Sequence, residues 1–481
     1  MVVGEISQQR NLVIIGGGPG GYTAAIRGAQ LGLSVTLIEQ NNMGGVCLNK
    51  GCIPSKVFTH AAGKRSETDH LREIGIGEGD ETFNFIKLQS YKKKVIDGLR
   101  AGVESLCREN KIEIIRGKAT FISIDRIGVE NGHQFDIFEF KQAIIATGSS
   151  HVLPSILKET GKRILLSDEI FELEEVPDHL IVLGHDTITL EVASSYAAFG
   201  AKVSILLSEN TSLPFDESIN KELMRLCKKR KMNVVKDVDV VTVHELDNEI
   251  AITFQKHKGV HETIQGSHLF VSEGRKPNVE PLGISRFGIE MTEDGFVKVD
   301  GNMQSSIPSI YAIGDVTEGP LLAIKAIKQA KAAAEAIAGG KPEVDLTFLP
   351  IAAHTIPPVA AVGLTEQQAR DFEIDIRVSQ FALGGNGYAT INGKKDGFIK
   401  VISDSKTELV VGIHMIGDGA IEMSGSFVQL LEMAVKEEDI TFPTYAHPSY
   451  NEGLLEAVEG LIGKAIHAAP VRRRMQDLSR R

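Results

Sequence analysis

Short, uninterrupted apolar runs set the pattern of this chain. Leu12-Val13-Ile14-Ile15 is the first, and an unbroken run of that length predicts a strand covered on both faces. Gly16-Gly17-Gly18-Pro19-Gly20-Gly21 follows at once. An Ala-rich segment (Ala24, Ala25, Ala29) then ends at Gly32, and Val35-Thr36-Leu37-Ile38 is closed by Glu39. Strand, helix and strand within about 30 residues make a parallel crossover unit. The same grammar recurs: Leu180-Ile181-Val182-Leu183 precedes Gly184, a helical stretch runs from Leu190 to Phe199, and Val203-Ser204-Ile205-Leu206-Leu207 closes the unit. Two dinucleotide-type folds are predicted, one after the other.

Between them lies a Lys-rich helical region near Tyr91 to Asn110, followed by short strands around Ile112–Ile115 and Phe138–Ile145. Pro and Gly punctuate Gly148–Pro154 and Gly274–Pro281, which read as domain edges. Past Pro350 the pattern turns strand-like, then helical, to about His467. The predicted class is α/β: two Rossmann-like dinucleotide-binding domains plus a C-terminal α+β domain. The expected boundaries are 1–149 and 276–349 for the first dinucleotide domain, 150–275 for the second, and 350–468 for the last. Residues 469–481 read as a basic, solvated tail.

Composition narrows the function. At 481 residues the chain has room for about three domains. Lys+Arg number 52 and Asp+Glu 63, a net charge of −11, which argues against nucleic acid as the main partner. No apolar run reaches the ~18 residues of a membrane span. Met1 to Arg10 is polar, without the apolar core of a signal peptide, so a cytoplasmic location is expected. Four cysteines are too few for a disulfide scaffold. Cys107 and Cys227 stand alone in helix-like stretches and read as small core residues.

The first glycine loop carries chemistry. In Gly16-x-Gly18-x-x-Gly21 the first glycine permits a tight turn. The second lets a pyrophosphate approach the backbone, and the third lets helix and strand pack closely. Phosphate then meets the free N–H groups of a helix N-terminus. Glu39 follows at the spacing of a ribose-hydroxyl acceptor. Five residues later begins Gly44-Gly45-Val46-Cys47-Leu48-Asn49-Lys50-Gly51-Cys52-Ile53-Pro54-Ser55-Lys56. Pro54 suits a first helical turn, which places Cys52 at a helix N-terminus, where a thiolate is stabilised. Two cysteines so spaced can close a short disulfide loop, and in a cytoplasmic chain such a bond is a redox device. Zinc would need a second Cys/His pair at ligand spacing, and none occurs.

The segment from Cys47 to Lys56 resembles the active site of the pyridine nucleotide–disulfide oxidoreductases, which are FAD enzymes. Its wording is closest to the branch of that family that oxidises dihydrolipoamide. The likeness spans nearly the whole chain. It implies that Gly16, Gly18, Gly21, Glu39, Lys56, Ala119, Thr147, Gly148, Asp315 and Ala323 bind FAD. Ile144-Ile145-Ala146-Thr147-Gly148 resembles the motif ending the first part of the FAD domain. Ile310-Tyr311-Ala312-Ile313-Gly314-Asp315 resembles the second FAD motif, whose Asp bonds the ribityl chain. Ala323 and Lys325 continue it, with Ile324 where the family has His. The string His447-Pro448-Ser449-Tyr450-Asn451-Glu452 resembles the family's base–orienter pair, whose His reaches the dithiol site of the other subunit, so a homodimer is implied. Cys47, Cys52, His447 and Glu452 are thus the expected catalytic residues, and a lipoyl-bearing acyltransferase of a 2-oxo acid dehydrogenase complex is the expected partner.

One segment departs from that pattern. The second loop reads Gly184-His185-Asp186-Thr187-Ile188-Thr189. Asp186 and Thr189 stand at the second and third glycine positions, and Leu207 stands at the ribose-binding acid. Each change works against a dinucleotide by like charge, by crowding, or by a lost hydrogen bond worth roughly 1.5–3 kcal/mol. Glu191, Gly274 and Arg275, with Pro277 and Asn278, still resemble the family's NAD site, and no Arg cluster points to NADP. Two readings follow: an NAD-linked dihydrolipoamide-oxidising enzyme with weakened NAD affinity, or a divergent relative that keeps FAD and the disulfide but serves another electron partner or a structural or regulatory role.

Overall fold

The computed structural model describes residues 7–77, 83–154, 156–157, 161–209, 211–256 and 259–468. The expected basic tail, 469–481, lies outside the described residues. Two compact units emerge: Met1–Phe58 with Thr82–Pro177 and Val240–Leu346, and Thr59–Glu81 with Asp178–Asp239 and Thr347–Arg481.

In the first unit, the strand Ser7–Ile15 lies between Val35–Glu39 and Gln134–Ile145, parallel to both. Glu113–Arg116 extends the sheet beyond Val35–Glu39, also in parallel. At the other end, Arg126–Asn131 and Lys118–Ser123 add an antiparallel ribbon, and Ile310–Ala312 pairs in parallel with the end of Gln134–Ile145. The apolar run from Leu12 is continuous because both faces are covered. Leu12 and Ile14 enter one core with Leu37, Ile144 and Ala333, while Val13 and Ile15 enter another with Phe121, Phe138 and Ile310. The first strand begins at Ser7, five residues ahead of that run, because backbone pairing with Gln134–Ile145 continues from Ser7 opposite Ile137. Hydrogen bonding extends a strand where side-chain pattern gives no sign of it.

In the second unit, His179–Gly184, Lys202–Ser208 and the start of Asn233–Glu245 are parallel neighbours, with the helix Thr187–Phe199 crossing between the first two. The C-terminal part is a five-stranded antiparallel sheet in the order Ile351–Ala353, Val359–Gly363, Val410–Ile416, Phe398–Asp404, Ile376–Ala382. The helices Ala420–Glu432 and Asn451–Leu461 share a core with it, built on Ile399, Val401, Ile413, Phe427 and Leu454. The predicted α/β class with a separate C-terminal α+β domain is what the chain adopts. Among the described residues no helix is long and apolar enough to cross a membrane.

Candidate active site

Cys47 lies in a short helix, Gly45–Asn49, and Cys52 opens the long helix Cys52–Ser66, as Pro54 predicts. The connection is tight: Lys50 N and Gly51 N both donate to Val46 O at 2.8 Å. Gly44, with φ +94°, makes the turn before it, where a side chain would strike Leu48. The Asn49 amide ties the loop to the carbonyls of Met43 (3.0 Å) and Gly45 (2.9 Å). The two thiols hydrogen-bond one another. That bond first, then burial, then charge on Cys52 push the Cys47 thiol far above its ordinary range, while Lys56 acts in the opposite direction. The pair therefore gives up its protons one at a time. Burial and then the charges of Cys47 and Cys52 also raise the Tyr22 phenol.

The first glycine loop sits against this segment. A Cβ on Gly21 would lie 1.8 Å from Gly16 O, and one on Gly45 2.8 Å from Gly18 Cα. Only glycine permits these approaches. The helix Pro19–Gln30 starts at Gly18 with no side-chain cap, so its first N–H groups remain open to an anion. Glu39 closes its strand and accepts from Gly17 N (2.6 Å) and Asn41 N (2.7 Å).

Thr147 and Gly148 pair with Asn278: Thr147 Oγ1 donates to Asn278 O (2.7 Å), Asn278 Nδ2 to Thr147 O (3.0 Å) and Asn278 N to Gly148 O (2.9 Å). Gly148 and Gly274 take φ +70° and +75°. Ala119 is buried opposite Val129 in the antiparallel ribbon. Asp315 accepts from Ser149 Oγ (2.7 Å), within a turn braced by Lys325, whose buried ammonium donates to Thr317 O (3.0 Å) and Glu318 O (3.1 Å). Burial lowers the Lys325 pKa against the opposing charge of Asp315. Ala323 begins the next helix, and Ile324 is exposed beside it.

A polar chain that the sequence does not announce joins these pieces. Arg275 donates through Nε to Ser149 Oγ (2.8 Å) and through a terminal nitrogen to Ser149 O (2.7 Å). Its other terminal nitrogen meets His151 Nε2 at 2.7 Å, which Ser167 also contacts. Asp168 lies 3.9 Å from the same ring nitrogen and pairs with Lys50, between the two cysteines, at 3.1 Å. Ser149, His151 and Asp168 carry no motif. Only the antiparallel pairing of Ser149–His151 with Arg275–Pro277 brings the first two to Arg275.

In the second unit, His447 Nδ1 lies 2.7 Å from Glu452 Oε1, and Glu452 Oε2 accepts from Ser449 N (2.9 Å). The His447 hydrogen bond, more than any other cause, holds the Glu452 carboxyl below its ordinary range. The His447 side chain is 82% exposed.

The second loop is closed in on itself. Gly184 takes φ +150°. Asp186 caps the helix Thr187–Phe199, its Oδ1 accepting from Thr189 N (2.8 Å) and Thr189 Oγ1 (2.7 Å). Leu207 is buried at the end of its strand. Glu191, also buried, accepts from His354 N (2.8 Å).

Residues 10–330 match the family model of the pyridine nucleotide-disulphide oxidoreductases, and residues 349–458 that of the same family's dimerisation domain. Dihydrolipoyl dehydrogenases of Geobacillus stearothermophilus and Bacillus subtilis (strain 168) are each 38% identical to this chain, the alignments covering 97% of it and 99% of each relative. Among solved structures, the Cu(II) complex of an HOCl-induced flavoprotein disulfide reductase from Escherichia coli is similar with a TM-score of 0.85 at 26% identity, over 94% of this chain and 99% of that one. A thiol pair at a helix start, an open glycine loop beside it and a C-terminal antiparallel domain agree with these matches, and the chain belongs to the pyridine nucleotide-disulphide oxidoreductase family.

Proposed function

We propose that this protein oxidises dihydrolipoyl groups through the Cys47–Cys52 pair, as a homodimer with FAD. The carrying observation is the hydrogen-bonded thiol pair at the start of the helix Cys52–Ser66, beside a glycine loop whose helix is uncapped. The residues present fit FAD. Gly16, Gly18 and Gly21 leave the backbone open to a pyrophosphate, Glu39 offers a carboxylate, and Asp315, held by Ser149, offers a second one for the ribityl hydroxyls. Thr147, Gly148, Ala119 and Ala323 would line the rest, with Lys56 near the reacting end. FAD, when bound, supplies the two-electron acceptor for the dithiol.

The chain's own residues do the thiol chemistry. With Cys47 and Cys52 joined as a disulfide, the imidazole of His447 from the other subunit takes a proton from one substrate thiol. The resulting thiolate attacks Cys47 Sγ, the S–S bond breaks, and Cys52 leaves as thiolate. The second substrate thiol then passes its proton to the Cys52 thiolate, attacks its own partner sulfur and closes the lipoyl ring. Cys47 is released and recovers a proton from His447. Two electrons and two protons have passed from substrate to protein. Glu452 orients the imidazole and supports its positive charge.

A lipoyl-bearing acyltransferase of a 2-oxo acid dehydrogenase complex is the partner this chemistry suits, and the cytoplasm the compartment that keeps such dithiols in use. Anaerobic dihydrolipoamide is expected to bleach the flavin absorbance of the holoprotein. Cys47→Ser or Cys52→Ser is expected to abolish turnover, and full activity in either variant would refute these roles. One observation favours a second reading, a divergent relative with another electron partner: the NAD site fits its nucleotide poorly at Asp186, Thr189 and Leu207. Bleaching by dihydrolipoamide but not by NADH would select it.

A further inference from the structure

The two crossover units of this chain can be compared residue by residue without any relative. Leu12, Val13, Ile14 and Ile15 pair with Val35, Thr36, Leu37 and Ile38. Leu180, Ile181, Val182 and Leu183 pair with Val203, Ser204, Ile205 and Leu206 in the same parallel register, with the same spacing. That register equates Gly16 with Gly184, Gly18 with Asp186, Gly21 with Thr189 and Glu39 with Leu207.

The equated positions differ in what occupies the helix start. At Gly18 no side chain caps the helix, and its first N–H groups can meet an external anion. At Asp186 a carboxylate already sits there, bonded to Thr189 N and Thr189 Oγ1. It brings the negative charge that the positive end of the helix dipole favours. A phosphate arriving at the same place meets like charge and a donor that is already used. Glu39 presents its carboxylate at the end of the first unit's strand, whereas Leu207 is apolar and buried. Glu191, the remaining acid of the second site, has one oxygen committed to His354 N.

We infer that Asp186 is a built-in occupant of the pyrophosphate subsite and is the residue that sets how weakly this chain holds a pyridine nucleotide. The helix cap and the missing phosphate site are one interaction. The fold of the second unit survives the lost glycines because the carboxylate satisfies the helix from within. The inference rests on the proposed reading only in naming NAD as the ligand.

The test is NADH binding to the flavin-loaded protein, followed by quenching of nucleotide fluorescence. Asp186→Gly frees the N–H group and removes the charge, and glycine is itself an acceptable helix start. Its NADH dissociation constant is expected to fall about tenfold to a hundredfold below that of the parent protein, the range of one charge-assisted hydrogen bond. Asp186→Asn keeps a cap but drops the charge, and a smaller gain is expected. Leu207→Glu in the Asp186→Gly background is expected to tighten binding further. Equal NADH affinity in the parent and Asp186→Gly overturns the proposal. Should the glycine variant fold poorly, the asparagine variant decides: any gain supports it, and none overturns it. Reduction of the parent holoprotein by dihydrolipoamide, recorded in parallel, reports on the dithiol reading alone, so the two failures are distinguishable.

Discussion

The four cysteines differ in what surrounds each sulfur. Burial pushes the thiols of Cys107 and Cys227 up to about 11, so almost none of either is thiolate at neutral pH. Cys47 and Cys52 are half-buried at a helix start and share a proton-bearing contact. Native protein reduced with dithiothreitol and treated with iodoacetamide is therefore expected to be labelled within the Cys47–Cys52 pair, where both sulfurs are partly exposed and one can ionise while the other keeps its proton, and not at the buried Cys107 or Cys227. Peptide mass spectrometry reads the result, and prompt labelling of Cys107 or Cys227 would contradict it. Arg275 offers a second test at this scale. Its guanidinium fork holds Ser149 while the Ser149 hydroxyl holds Asp315. Arg275→Lys keeps the charge and loses the fork, and FAD retention on gel filtration is expected to drop.

At the scale of elements, the helix Glu217–Lys229 and the antiparallel sheet are joined by a buried ion cluster. Lys400 sits on the strand Phe398–Asp404 between two core residues but points to the opposite face. There its ammonium donates to Asp216 (2.6 Å), to Glu366 (2.5 Å) and to Ser218 Oγ (3.2 Å). Burial alone would raise the Asp216 carboxyl. The Lys400 bond and the N–H groups of Glu366 and Ser218 overcome it and hold the carboxyl far below its usual range. A depressed carboxylate stabilises the fold above its unfolded pKa and loses that contribution as pH falls through its folded one. The melting temperature is thus expected to fall steadily with acidification below about pH 4. Lys400→Met strands a buried carboxylate at a cost of about 3–5 kcal/mol, seen as a lower urea midpoint. An unchanged midpoint would remove the cluster from the account of stability.

At the scale of the whole molecule, the proposed catalytic groups divide between the two units: Cys47 and Cys52 in one, His447 and Glu452 in the other. The imidazole is exposed, as is Phe442 nearby in sequence at 92%, an arrangement that suits a residue completing its site on a second copy. Subunit mixing tests this directly. Cys47→Ser and His447→Gln are each expected to be inactive as homodimers. A mixed dimer rebuilds one intact site of two, so random reassortment is expected to recover about a quarter of the parent activity. No recovery from verified mixed dimers would mean that each chain supplies its own base.

Residues close in sequence were legible without coordinates. The unbroken apolar runs, the glycine spacing and Glu39 predict the first crossover unit because each feature is a local demand of backbone geometry: a strand buried on both faces, a turn without room for Cβ, a helix start left open. The Cys47–Cys52 loop was legible for the same reason, since Pro54 and Gly51 shape it within a few residues. Asp186 could be read as a loss, but not as a cap, because a carboxylate's partner depends on where the helix starts. The links from Asp315 through Ser149 and Arg275 to His151, and the Lys400 cluster, were decided only by tertiary structure. Apart from Lys400 and Glu366, 34 positions apart, they join side chains more than a hundred positions apart, and no local pattern records which polar groups folding will remove from water together.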